Sequence, residues 1–414
     1  MELHETKQEE TIALLAGVDL GESDTDESMA ELRELARTAG AEVAGIVLQK
    51  RPSPDPATCV GSGFLEEMAE FCQNNGVNLI IFDRELSPIQ IRNIEDATDI
   101  RTIDRTMLIL DIFAGRARSN EGKLQVELAQ LRYMLPRLTG KGVVMSRQGG
   151  GIGTRGPGET KLETDRRHIR NRIDGLKEKL AEVAKQRGRQ RERRKRDGVV
   201  TVAIVGYTNA GKSTLLNALT DAGVLSEDML FATLDPTARA LELPSGSSVM
   251  LVDTVGFIRR LPHHLIEAFK STLEEAVQAD IILNVCDSSS PVFRDHLRIT
   301  NDLLAELGAE HKPIITVLNK VDIADSDDLL GIEGVRISAK RGEGFNELLR
   351  AIEEALPVQK IRTKLLFPFS DIGQSTLVRD NGTIFSEEYT DQGLLMDCLI
   401  DSITGERLKA YFCN

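Results

Sequence analysis

Five short motifs follow one another between Gly206 and Lys340: G-Y-T-N-A-G-K-S-T, F-A-T-L-D, D-T-V-G, N-K-V-D and S-A-K. In the first, Gly206 and Gly211 let the backbone close around phosphate. The N–H groups from Asn209 to Thr214 and the following helix dipole then face its oxygens. Tyr207, Thr208 and Ala210 complete this loop. Lys212 is placed to reach the β- and γ-phosphates, and the Ser213 hydroxyl to ligate Mg²⁺. Asp253 would act on the ion through water, with Thr254 and Val255 leading to Gly256, whose amide would sense the γ-phosphate. From Phe231, Ala232, Thr233, Leu234 and Asp235, Thr233 is selected as the switch threonine. It can supply both a hydroxyl and a carbonyl near the ion.

Base choice falls to Asn319, Lys320 and Asp322. Asp322 can accept two N–H bonds from guanine, and adenine offers no such pair. Ser338, Ala339 and Lys340 would close over the base, the Ala339 amide donating to the guanine oxygen. The expected ligands are therefore GTP or GDP with Mg²⁺, and the expected reaction is GTP hydrolysis carried by Lys212, Thr233 and Gly256. One position departs from the common pattern: Phe257 stands where many GTPases place a water-orienting glutamine. Hydrolysis should be slow until a bound partner completes it. Arg259 and Arg260 could supply a finger in cis, but a solvated or partner-facing pair is the favoured reading of them.

These motifs require strands that end at each loop. The apolar runs Val199 to Val205, Val249 to Val252 and Ile314 to Leu318 read as buried parallel strands, and Ser213 to Leu219 as a helix. The fold class that follows is α/β, with a doubly wound P-loop GTPase domain at residues 199–358. Before it, residues 1–115 read as a small α/β domain. Strands are expected at Ile12 to Val18, Glu42 to Leu48, Asn78 to Phe82 and Thr106 to Leu110, and helices at Ser28 to Thr38 and Phe64 to Asn75. Gly61-Ser-Gly63 reads as a plain helix-start loop. Residues 359–414 read as a second small α/β domain, with a strand at Thr363 to Phe369, a helix at Asp371 to Asp380 and two further strands toward Tyr411.

Residues 116–198 differ from both. Leu124, Leu128, Leu131, Leu135 and Leu138 alternate steps of four and three, and Leu162, Ile169, Ile173, Leu176, Leu180 and Val183 repeat a helical rhythm. Two matching seams imply a projecting antiparallel helical hairpin. Its connector holds six glycines in the ten residues Gly149 to Gly158, flanked by Lys141, Arg147 and Lys161. A passive tether would be serine-rich and indifferent in charge. Arg147, Gly149, Gly150, Gly151, Gly153, Arg155, Gly156, Gly158 and Lys161 are instead suited to pressing backbone against a phosphate-rich surface. With Tyr133 as the nearby aromatic, shape and backbone recognition of RNA is expected.

Net charge sharpens that reading. The 414-residue chain carries −14, yet Lys161 to Asp197 holds 15 Lys or Arg against 7 Asp or Glu, a local +8 that leaves −22 elsewhere. A basic arm on an acidic body can meet phosphate without adhering indiscriminately. The five cysteines lack zinc-like spacing and fit a reduced compartment. With no long apolar run and an acidic start, the expected setting is the cytoplasm, without membrane insertion and monomeric by default.

The order of parts resembles the HflX family of ribosome-associated GTPases over nearly the whole chain. The resemblance is strongest in G-P-G-E-T-K-L-E (Gly156 to Glu163), in G-Y-T-N-A-G-K-S (Gly206 to Ser213) and in F-A-T-L-D-P (Phe231 to Pro236). It implies binding to the large ribosomal subunit and its RNA near the peptidyl-transferase centre. It also implies splitting of stalled or idle intact ribosomes, particularly under stress, with hydrolysis stimulated by the ribosome. Phe257 fits that family too. The hairpin would then be the ribosome-contacting arm. The alternative is an anti-association or assembly factor that binds the free large subunit and uses GTP as a timer. The family's N-terminal domain has been linked to adenine nucleotides, and nothing in the sequence of residues 1–115 locates such a site.

Overall fold

The computed structural model describes residues 10–21, 24–138, 161–196, 198–220, 230–231, 235, 237–259, 275–325, 329–357 and 360–413. Two compact units emerge. One comprises residues 1–188 with 227–235 and 258–271; the other comprises 189–226, 236–257 and 272–414.

In the first unit, β1 (Ile12–Asp19), α1 (Thr25–Thr38), β2 (Glu42–Lys50), α2 (Ser62–Asn75), β3 (Leu79–Phe82), α3 (Pro88–Thr98) and β4 (Arg101–Asp104) alternate in order. The strands form a parallel sheet in the order β2-β1-β3-β4. β1 and β3 are its apolar centre, with Leu14, Ala16, Ile80 and Phe82 packed in one core. Gly61 caps the start of α2, as its helix-start reading requires. The strand expected at Thr106 to Leu110 is instead part of α4 (Arg105–Arg116). Asp104 starts that helix by accepting from the Met107 amide at 2.9 Å.

The hairpin forms from α5 (Asn120–Arg137) and α6 (Lys161–Arg196). Its seam joins Leu128, Ile173 and Leu176 to Leu124, Leu131, Leu135, Ile169 and Leu180. Arg172 grips both carboxylate oxygens of Glu127, at 2.6 and 2.8 Å, and Arg187 pairs with Glu121, so the helices run antiparallel. A different part of α5 docks on the α/β domain. Arg137 stacks over Tyr133 with 3.4 Å to the ring centroid, donates to the Leu86 carbonyl at 2.9 Å and pairs with Asp104 at 3.3 Å. Leu176, 1% exposed, is the tightest point of the seam. Leu176→Ala should cost the hairpin about 2–4 kcal/mol through lost transfer and a residual cavity. Amide exchange across α6 should quicken while GTP affinity stays unchanged; a loss of GTP affinity would place this seam inside the nucleotide site.

The second unit is built on a six-stranded sheet in the order β10-β9-β8-β5-β7-β6. Its elements are β5 (Val200–Gly206), α7 (Lys212–Thr220), β6 (Thr237–Glu242), β7 (Ser248–Asp253), β8 (Ile281–Asp287), α8 (Phe293–Glu306), β9 (Ile314–Asn319), β10 (Val335–Arg336) and α9 (Phe345–Glu354). All pairs are parallel except β6 with β7. Val202, Ile204, Ile281, Leu283, Leu215 and Val317 bury its core. The last residues add β11 (Lys360–Phe367), α10 (Ser375–Asn381), β12 (Gly382–Thr390), β13 (Gly393–Asp401) and α11 (Ser402–Arg407). The three strands form an antiparallel sheet in the order β11-β13-β12. The second expected strand ends at Asp401, and the stretch beyond it is helical. Among the described residues, no helix is long and apolar enough to cross a membrane.

Candidate nucleotide-binding site

β5, β7, β9 and β10 end at the loops that carry four of the motifs, the edge where an open α/β sheet receives ligands. Gly206 has φ +150° and Gly211 φ +90°; a Cβ at Gly206 would strike the Val285 carbonyl, and one at Gly211 the Asn319 amide. No other residue type fits there. Between them Asn209 takes the left-handed φ of +61°, which turns the loop toward the N-terminus of α7.

Lys212 lies buried at that helix start. Its ammonium donates to the carbonyls of Gly206 at 3.1 Å and Tyr207 at 2.8 Å. Burial lowers its pKa to about 8, and the Asp253 charge partly opposes that shift. The Ser213 hydroxyl donates to Asp253 at 2.8 Å. These two hard oxygen donors suit Mg²⁺, which takes few protein ligands and keeps water and phosphate oxygens. Among the described residues no group of three or more His, Cys, Asp or Glu could hold a metal. With a bound ion, nucleotide and water would complete the shell begun by Ser213 and water-linked Asp253.

Gly256 packs directly on the phosphate loop: a Cβ there would meet Thr208 at 2.8 Å and the Lys212 nitrogen at 3.0 Å. Thr254 anchors the turn by donating to the Ile204 carbonyl at 2.8 Å. The next residue explains the missing glutamine. Phe257 donates its amide to Gly206 at 3.0 Å, and its carbonyl accepts from Thr208 at 2.8 Å. Its ring is 1% exposed. This position bridges to Tyr207 in the phosphate loop, and its apolar side chain is buried.

The base-recognition motifs also converge. Asn319 donates to the Ala210 carbonyl at 2.8 Å and accepts from the Ala339 amide at 2.9 Å, joining the phosphate loop, N-K-V-D and S-A-K. Lys320, at φ +64°, pairs with Asp287 at 2.7 Å. A hydrogen bond from Ser338 holds the Asp322 carboxyl below the usual range, assisted by Arg341 and Lys340. Lys340 is exposed, whereas Ser338 and Ala339 are buried.

The F-A-T-L-D motif behaves differently. Its described residues, Phe231 and Asp235, belong to the first compact unit, and the Asp235 carboxylate is engaged with the start of α5. The Asp235 carboxylate, expected among the nucleotide contacts, thus accepts from amides of the first unit. Arg259 also lies in the first unit, paired with Asp24 at 3.3 Å and Glu27 at 2.7 Å. It is buried and paired there, not the solvated charge that the sequence favoured. Ala232, Thr233, Leu234, Arg260, Arg147 and the connector from Gly149 to Gly158 lie outside the described residues, as does the side chain of Lys161.

Three family models match in sequence: GTP-binding GTPase N-terminal at residues 26–114, GTP-binding GTPase Middle Region at 116–194, and 50S ribosome-binding GTPase at 201–320. GTPase HflX of Caldanaerobacter subterraneus is 49% identical, over 100% of this chain and 96% of its own. The chain belongs to the HflX GTPase family. GTPase HflX of Lacrimispora saccharolytica is 50% identical over 97% of this chain and 96% of its own, and that of Escherichia coli 45% over 83% and 82%. The site is thus that of a guanine-nucleotide-binding, GTP-hydrolysing enzyme.

Motif spacing in this HflX chain did not reveal two neighbours of the site. His296 of α8 stacks on Tyr207, centroids 3.9 Å apart and planes within 10°. Asp287 ends β8 and neutralises Lys320. The D-S-S-S run after an apolar strand was the available signal for Asp287, because loops at this sheet edge face the ligand.

Proposed function

We propose that this HflX GTPase binds the large ribosomal subunit near the peptidyl-transferase centre and splits stalled or idle ribosomes, with GTP hydrolysis completed by the ribosome and used for release. The buried Phe257 carries this reading, since a site without its own water-orienting group needs a partner to finish the reaction. The description of the matching family model, 50S ribosome-binding GTPase, supports a ribosomal partner. The basic α6 and the glycine-rich connector supply chemistry suited to RNA phosphate. In this reading Lys212 holds the β- and γ-phosphates, while Ser213, Thr233 and water-linked Asp253 hold Mg²⁺, which neutralises charge developing on the phosphate. The Gly256 amide senses the γ-phosphate. The setting is the cytoplasm.

Purified large subunits should raise GTP turnover at least about tenfold, and the stimulation should fade as salt rises through the range where phosphate contacts are lost. Arg155→Glu with Lys161→Glu should abolish stimulation and leave GTP affinity intact. Absence of stimulation in the unaltered protein would sink the proposal. Intact ribosomes sedimented with the protein and a nonhydrolysable GTP analogue should yield subunits; unchanged ribosomes with protein on free large subunits would instead identify an anti-association factor.

A further inference from the structure

Within the second compact unit, the phosphate side of the site turns on Tyr207. Its carbonyl accepts from the Lys212 ammonium at 2.8 Å, and its backbone bridges to Phe257, the residue after the D-T-V-G turn. Two amides flank that bridge: Phe257 donates to Gly206 at 3.0 Å, and Thr208 to Phe257 at 2.8 Å. The Tyr207 ring is 5% exposed. It lies against the half-buried His296 imidazole, with centroids 3.9 Å apart and planes within 10°. All of these residues belong to the one unit. The helix that carries His296 is fastened to β8 on either side of it. The Cys286 thiol donates to the Phe293 carbonyl at 3.4 Å, and the Asn284 amide donates to the Asn301 side-chain oxygen at 3.0 Å. Asn284, Cys286 and Phe293 are all buried. Between these anchors the His296 carbonyl accepts from the Thr300 hydroxyl at 2.9 Å. α8 thus presents the imidazole to the phosphate loop from a fixed base.

We infer that His296 is a positioning residue for GTP hydrolysis: by clamping the Tyr207 ring it holds the carbonyl that aims Lys212 at the phosphates. This goes beyond the ribosomal reading and rests on Lys212 as the phosphate-holding lysine. Without the stack, the Tyr207 backbone is free to turn about its two soft dihedrals. The Lys212 bond weakens steeply as its angle departs from linear, and the ammonium then spends part of its time out of line. A misplacement of about an ångström can cost as much as about 100-fold in rate. The amides from Asn209 to Thr214 lie on the α7 side of Tyr207, so nucleotide binding survives while the rate suffers. The contact is one of flat faces. A phenyl ring at this position can keep it, and an aliphatic or amide side chain cannot.

The test compares His296→Ala, His296→Phe and Tyr207→Ala in the full-length protein, following GTP hydrolysis without ribosomes, KM, GDP affinity and melting temperature. His296→Ala should slow the rate at saturating GTP about tenfold, between the cost of a lost aromatic pair and that of a misplaced catalytic group. KM for GTP and affinity for GDP should stay close to those of the unaltered protein. Alanine favours a helix intrinsically, so a weaker α8 cannot explain the loss. His296→Phe should restore the rate. Tyr207→Ala should be slow as well, and adding His296→Ala to it should cost nothing more, as two residues acting through one contact require. If His296→Ala does not fold, His296→Gln, which cannot stack, takes its place. A lowered melting temperature with an unchanged rate would make His296 a packing residue and overturn the inference. A slow His296→Phe, or losses that multiply in the double variant, would overturn it too, by breaking the link through Tyr207. Turnover with large subunits is measured separately, and absence of stimulation there removes the ribosomal proposal while leaving this one standing.

Discussion

Lys212→Ala is expected to lower kcat/KM for GTP by about 10²- to 10³-fold, the usual consequence of removing one preorganised donor from a developing phosphate charge. The side chain is buried and already oriented by the Gly206 and Tyr207 carbonyls, so little ordering cost remains when phosphate arrives. A pH profile follows from the same burial. Desolvation holds the free protein's Lys212 at about 8, against 10.5 in the unfolded chain. Phosphate raises that value again, because the ammonium is the form it attracts. Affinity for GTP should be flat below about pH 8 and fall above it, by up to tenfold per unit. The Lys212→Ala protein should lose this limb. For folding the sign is opposite: between about 8 and 10.5 the unfolded chain binds the proton more strongly, so this group's contribution to stability rises with pH. An affinity profile that is flat through pH 9.5 would exclude a buried, depressed Lys212.

The nucleotide site was legible because its requirements are local. Gly206, Gly211 and Lys212 fall at the junction of an apolar run and a helix start, and the glycine positions admit no Cβ. The hairpin seam was equally readable, since each helix carries its own apolar period. Misreading began where the period was masked by burial on several sides. Leu108, Ile109, Leu110, Ile112 and Phe113 of α4 are all buried, and such a run resembles a strand until its length and its Asp104 cap are weighed. α3 was missed although Ser87, Pro88 and Gln90 form a capping box with proline in the first turn. β6 alternates too weakly to be seen, as a polar edge strand paired on one side only.

Asp235 was illegible for a different reason. Its partners lie 116 and 117 residues away, and nothing in F-A-T-L-D distinguishes a carboxylate bound for a nucleotide from one bound for a helix cap. Arg259 raised the same ambiguity. A charge near a switch could serve the phosphate or the scaffold, and only tertiary packing decided for Asp24 and Glu27. Local backbone demands leave a signature in a single sequence. Long-range pairing of charges does not.

Asp322→Asn is expected to change which nucleotide the protein uses. The Asp322 carboxyl sits below the usual range because Ser338 donates to it, with Arg341 and Lys340 adding charge. It is therefore ionised at working pH and can only accept, which matches the two N–H groups that guanine presents and adenine lacks. Each charge-assisted bond is worth about 1.5–3 kcal/mol, so losing the pair should weaken GTP by roughly 10²- to 10⁴-fold. An asparagine amide offers one acceptor and one donor edge. Xanthine, with a carbonyl where guanine has its amine, is the base that complements it, so XTP should gain as GTP loses. Asn319 would be undisturbed, since its contacts run to Ala210 and Ala339, and the phosphate loop would keep Lys212 in place. Turnover with XTP should therefore approach that of the unaltered protein with GTP, and large subunits should stimulate it to the same degree. If Asp322→Asn keeps its preference for GTP, the base is read elsewhere. If XTP binds but is not turned over, Asp322 contributes to catalysis as well as to recognition, and the separation of base reading from phosphate chemistry argued here is wrong.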